Sequence, residues 1–160
     1  MSFSHLDDAG KMEMVDISGR NKTLREARAR ALVEFPPSVF KELTDSGVPK
    51  GDLFAAARVA GIQAAKKTPE LIPLTHPIAL DHVKIDLKLQ PEKNMIAVEC
   101  RALASDSTGV EMEALSGASL AALTLYDMAK SLDKGIKIVE IKLLEKSGGR
   151  SGEWRTDDED

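Results

Sequence analysis

Two runs with a period of two, separated by a short polar break, limit this chain more than any other feature. Val83, Ile85, Leu87 and Leu89 alternate with polar or charged residues. Pro91-Glu92-Lys93-Asn94 follows, and then Ile96, Val98, Cys100 and Ala102 alternate in turn. Successive side chains of a strand point to opposite faces, so each run carries one apolar face. The proline-bearing break folds the two runs back on each other as an antiparallel pair. A pair with one apolar face is marginal in water until another layer covers it. The next segment, from about Glu111 to Asp133, supplies a candidate cover: it is rich in small residues (Ala114, Gly117, Ala118, Ala121, Ala122) and reads as one long helix. Ile136 to Leu144 then reads as a further strand.

Ahead of the pair, Met12 to Ile17 is a short strand candidate. Thr23-Leu24-Arg25-Glu26 has capping-box spacing and predicts a helix that stops before Pro36-Pro37. Ser38 can cap a short helix running to Gly47, and Asp52 a third running through Lys67. Leu71 to Leu80, with two prolines, predicts an ordered loop. The order is strand, three helices, strand, strand, helix, strand. Without the two extra helices this is βαββαβ, so the expected class is α+β, a ferredoxin-like split βαβ with an antiparallel sheet and extra N-terminal helices. With no internal repeat or linker, residues 1–152 read as one domain and 153–160 as an acidic, solvated and disordered tail.

The formal charge of −4 resides entirely in Asp157, Asp158, Glu159 and Asp160; the remaining chain is balanced. That balance, with one Trp, one Tyr and four Phe, argues against a nucleic-acid surface. No apolar run approaches a membrane span, and the polar start from Met1 to Asp8 does not resemble a signal peptide. One cysteine, Cys100, inside an alternating apolar run, reads as a small buried hydrophobe and fits a reducing cytoplasm.

Chemistry-bearing groups are scattered. Asp127 and Lys130 stand at i and i+3 on one helix face, where a carboxylate keeps an ammonium charged; a surface ion pair has the same spacing. Lys50-Gly51 precedes a helix start, where free N–H groups favour an anion. Leu74-Thr75-His76-Pro77 holds a histidine in a proline-bounded loop, and Lys146-Ser147-Gly148-Gly149-Arg150-Ser151-Gly152 is basic and glycine-rich. Each of these three also has an ordinary reading: a capped helix, an exposed histidine, a flexible exit. GxxxxGK[ST] and GxGxxG are both absent, and His76, His82 and Cys100 lack zinc-ligand spacing. No metal and no cofactor is therefore expected. Cations (Lys50, His76, Lys130, Lys146) beside carboxylates (Glu111, Glu113, Asp127) suit proton transfer on a phosphorylated small molecule. Glu113 and Asp127 lie 14 residues apart on one helix, about 21 Å at ~1.5 Å per residue. One small ligand cannot reach both within one subunit, so either a homo-oligomer joins opposite helix ends or the small residues merely pack on the chain's own sheet.

Several segments in fixed order carry a resemblance. They are Thr23-Leu24-Arg25-Glu26-Ala27-Arg28-Ala29, Lys50-Gly51-Asp52, Ala57 to Lys66, Leu71-Ile72-Pro73-Leu74-Thr75-His76-Pro77, Thr108 to Leu115, Leu125-Tyr126-Asp127-Met128 and Lys146-Ser147-Gly148-Gly149. From Met14 to Gly152 the chain closely resembles the MoaC family of molybdenum cofactor biosynthesis, the cyclic pyranopterin monophosphate synthases. The resemblance implies a ferredoxin-like fold and a homohexamer, a trimer of dimers with sites between subunits. It implies a lyase that rearranges cyclic dihydroguanosine triphosphate to cyclic pyranopterin monophosphate and releases pyrophosphate. By motif, Asp127 matches the catalytic aspartate and Lys130 its partner lysine. Leu74, Thr75 and His76 match the substrate loop, Met112 and Glu113 a second binding segment, Lys50, Glu111 and Lys146 further pocket positions, and Arg25 a phosphate contact. Thr75 stands where many members have cysteine, which excludes any role needing a thiol. Two other classes compete: a non-catalytic nucleotide-binding oligomeric module, and a phosphohydrolase, which would need a denser acidic metal cluster.

Overall fold

The computed structural model describes residues 5–45 and 50–157, with side chains omitted for residue 45 and residues 50–52. The alternating pair forms where the period places it. Strands β2 (His82–Gln90) and β3 (Met95–Asp106) run antiparallel from His82↔Leu103 to Gln90↔Met95. Between them a single 3-10 turn, Pro91–Lys93, ends on Asn94 at φ 51°, a left-handed position that asparagine tolerates.

The central strand is not where the sequence puts it. Thr23–Glu34 is β1, not a helix. Ala27, Ala29, Ala31 and Val33 are fully buried on one face. On the other, Arg28 bonds Glu99 of β3 at 3.3 Å, and Arg30 bonds Glu140 at 2.9 Å. A capping box is worth about 1 kcal/mol, and the helix propensity of Ala, Arg and Glu only tenths of a kcal/mol per residue. Two flanking ladders and a full apolar face outweigh them. The segment 12–17, expected as the first strand, makes only an isolated bridge, Leu6↔Met12, and its methionines are exposed. With its methionines in solvent it has no apolar face buried in the sheet, and Thr23–Glu34 takes the place of the first strand.

Helices α1 (Pro37–Asp45), α2 (Lys50–Lys66) and α3 (Thr68–Leu71) connect β1 to β2; α4 (Glu111–Ala129) connects β3 to β4 (Lys137–Ser147). The extra helices thus lie between β1 and β2. With β5 (Trp154–Arg155) at one edge, the sheet order is β2-β3-β1-β4-β5, and its first four strands have the order of a split βαβ: the fold is α+β and ferredoxin-like. Strand β5 pairs with β4 beyond Gly152, with Arg155 on Glu145 at 2.7 Å. Asp158, Glu159 and Asp160 lie outside the described residues, as does the expected helix end at Gly47.

Helix α4 packs against both the sheet and α2 at very short range. A Cβ on Gly117 would lie 2.5 Å from Cys100 Sγ, and one on Gly61 of α2 would lie 2.8 Å from the Gly117 carbonyl oxygen. Ala114, Ala118, Ala121 and Ala122 are fully buried along the same helix. Burial also pushes the Cys100 thiol up to about 12, so it packs as an apolar group. Gly117→Ala is expected to cost about 1–3 kcal/mol in urea unfolding through overpacking. Adding Cys100→Ala should return part of that loss, because the two side chains share one volume; strictly additive losses would place the strain elsewhere.

Candidate active site

The end of the sheet where β1 begins and β4 ends builds a basic cleft. The loop after β4 turns through Gly148 and Gly149 at φ 91° and 74°. A Cβ at Gly148 would strike the Leu24 carbonyl, and one at Gly149 would strike the Arg25 guanidinium. Glycine at both places lets the loop lie against β1 with Arg25 above it. Arg25 Nε donates to the Asp106 carbonyl at 3.1 Å, which aims the rest of the guanidinium into the cleft. Lys146 Nζ donates to Ser151 Oγ across the same loop. Arg20, Arg25, Lys146 and Arg150 line a cleft of about 720 Å³ with Glu26 and Glu111. Four cations around one concavity suit a polyanionic ligand, although the chain outside its last four residues is electrically balanced.

A second cleft of about 280 Å³ adjoins it, sharing Arg20, Thr108, Gly109 and Glu111. Its walls are the loop Leu74-Thr75-His76 and the first turn of α4, Glu111-Met112-Glu113. Thr75 is held by a turn, its Oγ1 donating to the Ile72 carbonyl at 2.9 Å. Glu111 folds back over Gly109, where a side chain would strike its carboxylate. Glu113 is only 2% exposed, and its Oε1 has no hydrogen-bond partner among the described residues. Burial raises its carboxyl to about 7, a hydrogen bond from its own main-chain N–H opposes the rise, and the Glu111 carboxylate adds to it.

The two joined clefts therefore bring together Arg25, Leu74, Thr75, His76, Glu111, Met112, Glu113 and Lys146. Asp127 and Lys130 are not among them. They pair at 2.5 Å at the opposite end of α4, 65% and 54% exposed, and Asp127 raises the Lys130 ammonium above its ordinary value. Lys50 begins α2, and its side chain is not described. Arg20, Thr108 and Arg150 were not singled out as site residues from sequence. Arg150 falls within the glycine-rich basic run, which was a usable signal; Arg20 stands in no motif and reaches the clefts only through the path of the chain.

A model of the MoaC family matches residues 14–149, a span holding most of both clefts and both ends of α4. The chain belongs to the MoaC family. It is 51% identical over 159 residues to a protein of Geotalea uraniireducens named cyclic pyranopterin monophosphate synthase, covering 99% of each chain. Proteins of the same name from Geobacter metallireducens and Geobacter sulfurreducens are 51% and 49% identical over 158 residues, again at 99% of each chain. Among the described residues no helix is long and apolar enough to cross a membrane.

A raised carboxyl binds more protons folded than unfolded, so its contribution is present below the unfolded value, about 4.5, and is lost as pH rises through about 7. At ~1.4 kcal/mol per pH unit, this is about 3 kcal/mol across that window. Glu113→Gln, neutral throughout, should gain on the wild type by about this much between pH 5 and pH 8. Parallel pH–stability curves for the two proteins would show that Glu113 titrates normally.

Proposed function

We propose that this protein converts cyclic dihydroguanosine triphosphate to cyclic pyranopterin monophosphate with release of pyrophosphate, as a cytoplasmic enzyme of molybdenum cofactor biosynthesis. The near-full-length identity to synthases of that name carries the reading, and the joined clefts suit it chemically. Arg20, Arg25 and Lys146 hold the triphosphate and offset charge as pyrophosphate departs, with Lys50 and His76 assisting. Glu111, Met112, Glu113 and the 74–76 loop hold the purine-derived part. Asp127 keeps Lys130 charged and oriented, and Lys130 moves protons during ring opening and closure.

The distance along α4 sets the assembly. Lys130 of one subunit must meet the clefts of another, which supports a homohexamer, a trimer of dimers with sites between subunits. Residues 1–152 form the catalytic domain, and the acids after Asp157 are dispensable to it.

The test combines GTP, the radical enzyme that makes the cyclic intermediate, and this protein, with product read as an oxidised fluorescent pterin. Pterin is expected only with this protein present, and intact cyclic triphosphate accumulating on it would instead favour a binding module. Asp127→Asn and Lys130→Ala should each cut turnover by about 10²–10⁴ with the fold retained, and Lys130→Arg should also fail because arginine cannot act as a base. Near-normal turnover in these variants would remove the assigned roles. Co-expressing Asp127→Asn with Arg25→Ala should restore activity in roughly a quarter of sites if opposite ends come from different subunits. A mixture as inactive as its parents would place each site within one subunit.

A further inference from the structure

Two residues lining the second cleft each carry a buried polar atom with no hydrogen-bond partner among the described residues: Glu113 Oε1 and His5 Nδ1. Unpaired buried groups of this kind are rare, and those lining a cavity call for a ligand. His5 lies far from the other site residues in sequence and outside the matched family segment. A small strap carries it in: Glu13 N–H donates to the His5 carbonyl at 3.0 Å, Leu6 bridges Met12, and Asp7 Oδ1 accepts from the main-chain N–H groups of Ala9 and Lys11 at 2.9 and 2.8 Å.

We propose that His5 and Glu113 together read a lactam edge of the substrate, Glu113 as a neutral acid donating from Oε1 to the carbonyl oxygen and His5 Nδ1 accepting from the adjacent ring N–H. This deepens the role given above to the purine-derived end and rests on that reading. A carboxylate is acceptor-only and would instead seek two N–H groups; a carboxylic acid offers a donor, and a neutral imidazole an acceptor. The surroundings favour the neutral acid. Glu111 faces Glu113 from the same turn of α4, His76 from the 74–76 loop, His5 from the strap and Arg20 from the segment before β1. None of these makes a hydrogen bond to Oε1, and the nearest like charge, Glu111, opposes ionisation together with burial. Of the two carboxyls in this turn, Glu113 is buried in the wall of the second cleft and Glu111 lines both clefts, the kind of separation that gives paired acids different tasks.

Three nucleotides discriminate the edges by equilibrium binding to the whole protein. GTP and inosine triphosphate share the lactam; 2-aminopurine riboside triphosphate lacks its carbonyl. GTP and inosine triphosphate are expected to bind within a few-fold of each other, and the 2-aminopurine nucleotide about ten- to hundredfold more weakly. Inosine triphosphate weakened as much as the 2-aminopurine nucleotide overturns the proposal, because a carboxylate reading the ring N–H and the exocyclic amine of guanine loses one N–H with each analogue. Glu113→Gln, whose amide still donates, should keep GTP affinity and lose the weakening that wild type shows as pH rises past 7. Glu113→Gln that binds tenfold more weakly at pH 6, while melting like a folded protein, also overturns it. His5→Asn, which keeps an acceptor, should bind as wild type, and His5→Ala should raise KM with little change in kcat; equal behaviour of the two removes His5 from the site. Pterin formation by the wild type is measured alongside. Its absence counts against the reading of the enzyme itself, whereas its presence with the wrong nucleotide order counts against the lactam edge alone.

Discussion

Helix α4 can lie where it does only because nothing but a glycine stands at its crossing. Gly117 meets Cys100 of β3 on one side and Gly61 of α2 on the other, at distances that leave no room for a Cβ without displacement. Alanines fill the remaining turns of the same face, opposite the alanines of β1. Large side chains on both surfaces would separate the layers, and interiors at native density tolerate neither a gap nor an overlap of a methyl group. The site depends on this approach. The first turn of α4 forms a wall of the second cleft opposite the 74–76 loop, with Glu113 buried there, while its last turn reaches solvent with Asp127 and Lys130. The helix acts as a rigid spacer, and its length decides which groups one subunit can hold together.

The two faces of the sheet have opposite electrostatic character for the same reason of register. Alternate residues of β1 face the helices as alanine and valine, and the intervening ones form a ladder: Arg28 with Glu99 and Glu145, Arg30 with Glu140, Arg101 with Glu26. Pairs at the edge of solvent contribute modestly each, and Arg30–Glu140 is the most buried of them. Their effect is to neutralise the face locally, while Arg20, Arg25, Lys146 and Arg150 gather at the end of the sheet where the glycine-rich loop meets β1. A chain whose basic and acidic residues balance outside its last four positions still presents a concentrated basic cleft.

Much of this was legible from short-range pattern. The strict alternation on either side of Pro91-Glu92-Lys93-Asn94 determined β2 and β3, and the small-residue stretch determined α4, because both periodicities follow from backbone geometry alone. The motifs at Leu74-Thr75-His76, Glu111-Met112-Glu113 and Lys146 named groups that do meet in the joined clefts. Where the sequence misled, local and tertiary preferences disagreed. Thr23-Leu24-Arg25-Glu26 carries a helix-start signal of about 1 kcal/mol, and the alternation of Ala and Arg after it is the stronger statement only once strands exist on both sides.

By itself, then, the sequence determined the family, the antiparallel pair, the covering helix and the identities of most groups in the clefts, since each is written in residue type and spacing. Tertiary structure alone decided that β1 is the central strand, that Arg20 and His5 reach the clefts, and that Glu113 is buried without a partner while Glu111 faces the basic cleft. Those outcomes depend on which surfaces meet across long separations in the chain. Burial, and with it the proton affinity of a carboxyl, is a property of the packed neighbourhood and not of the residue.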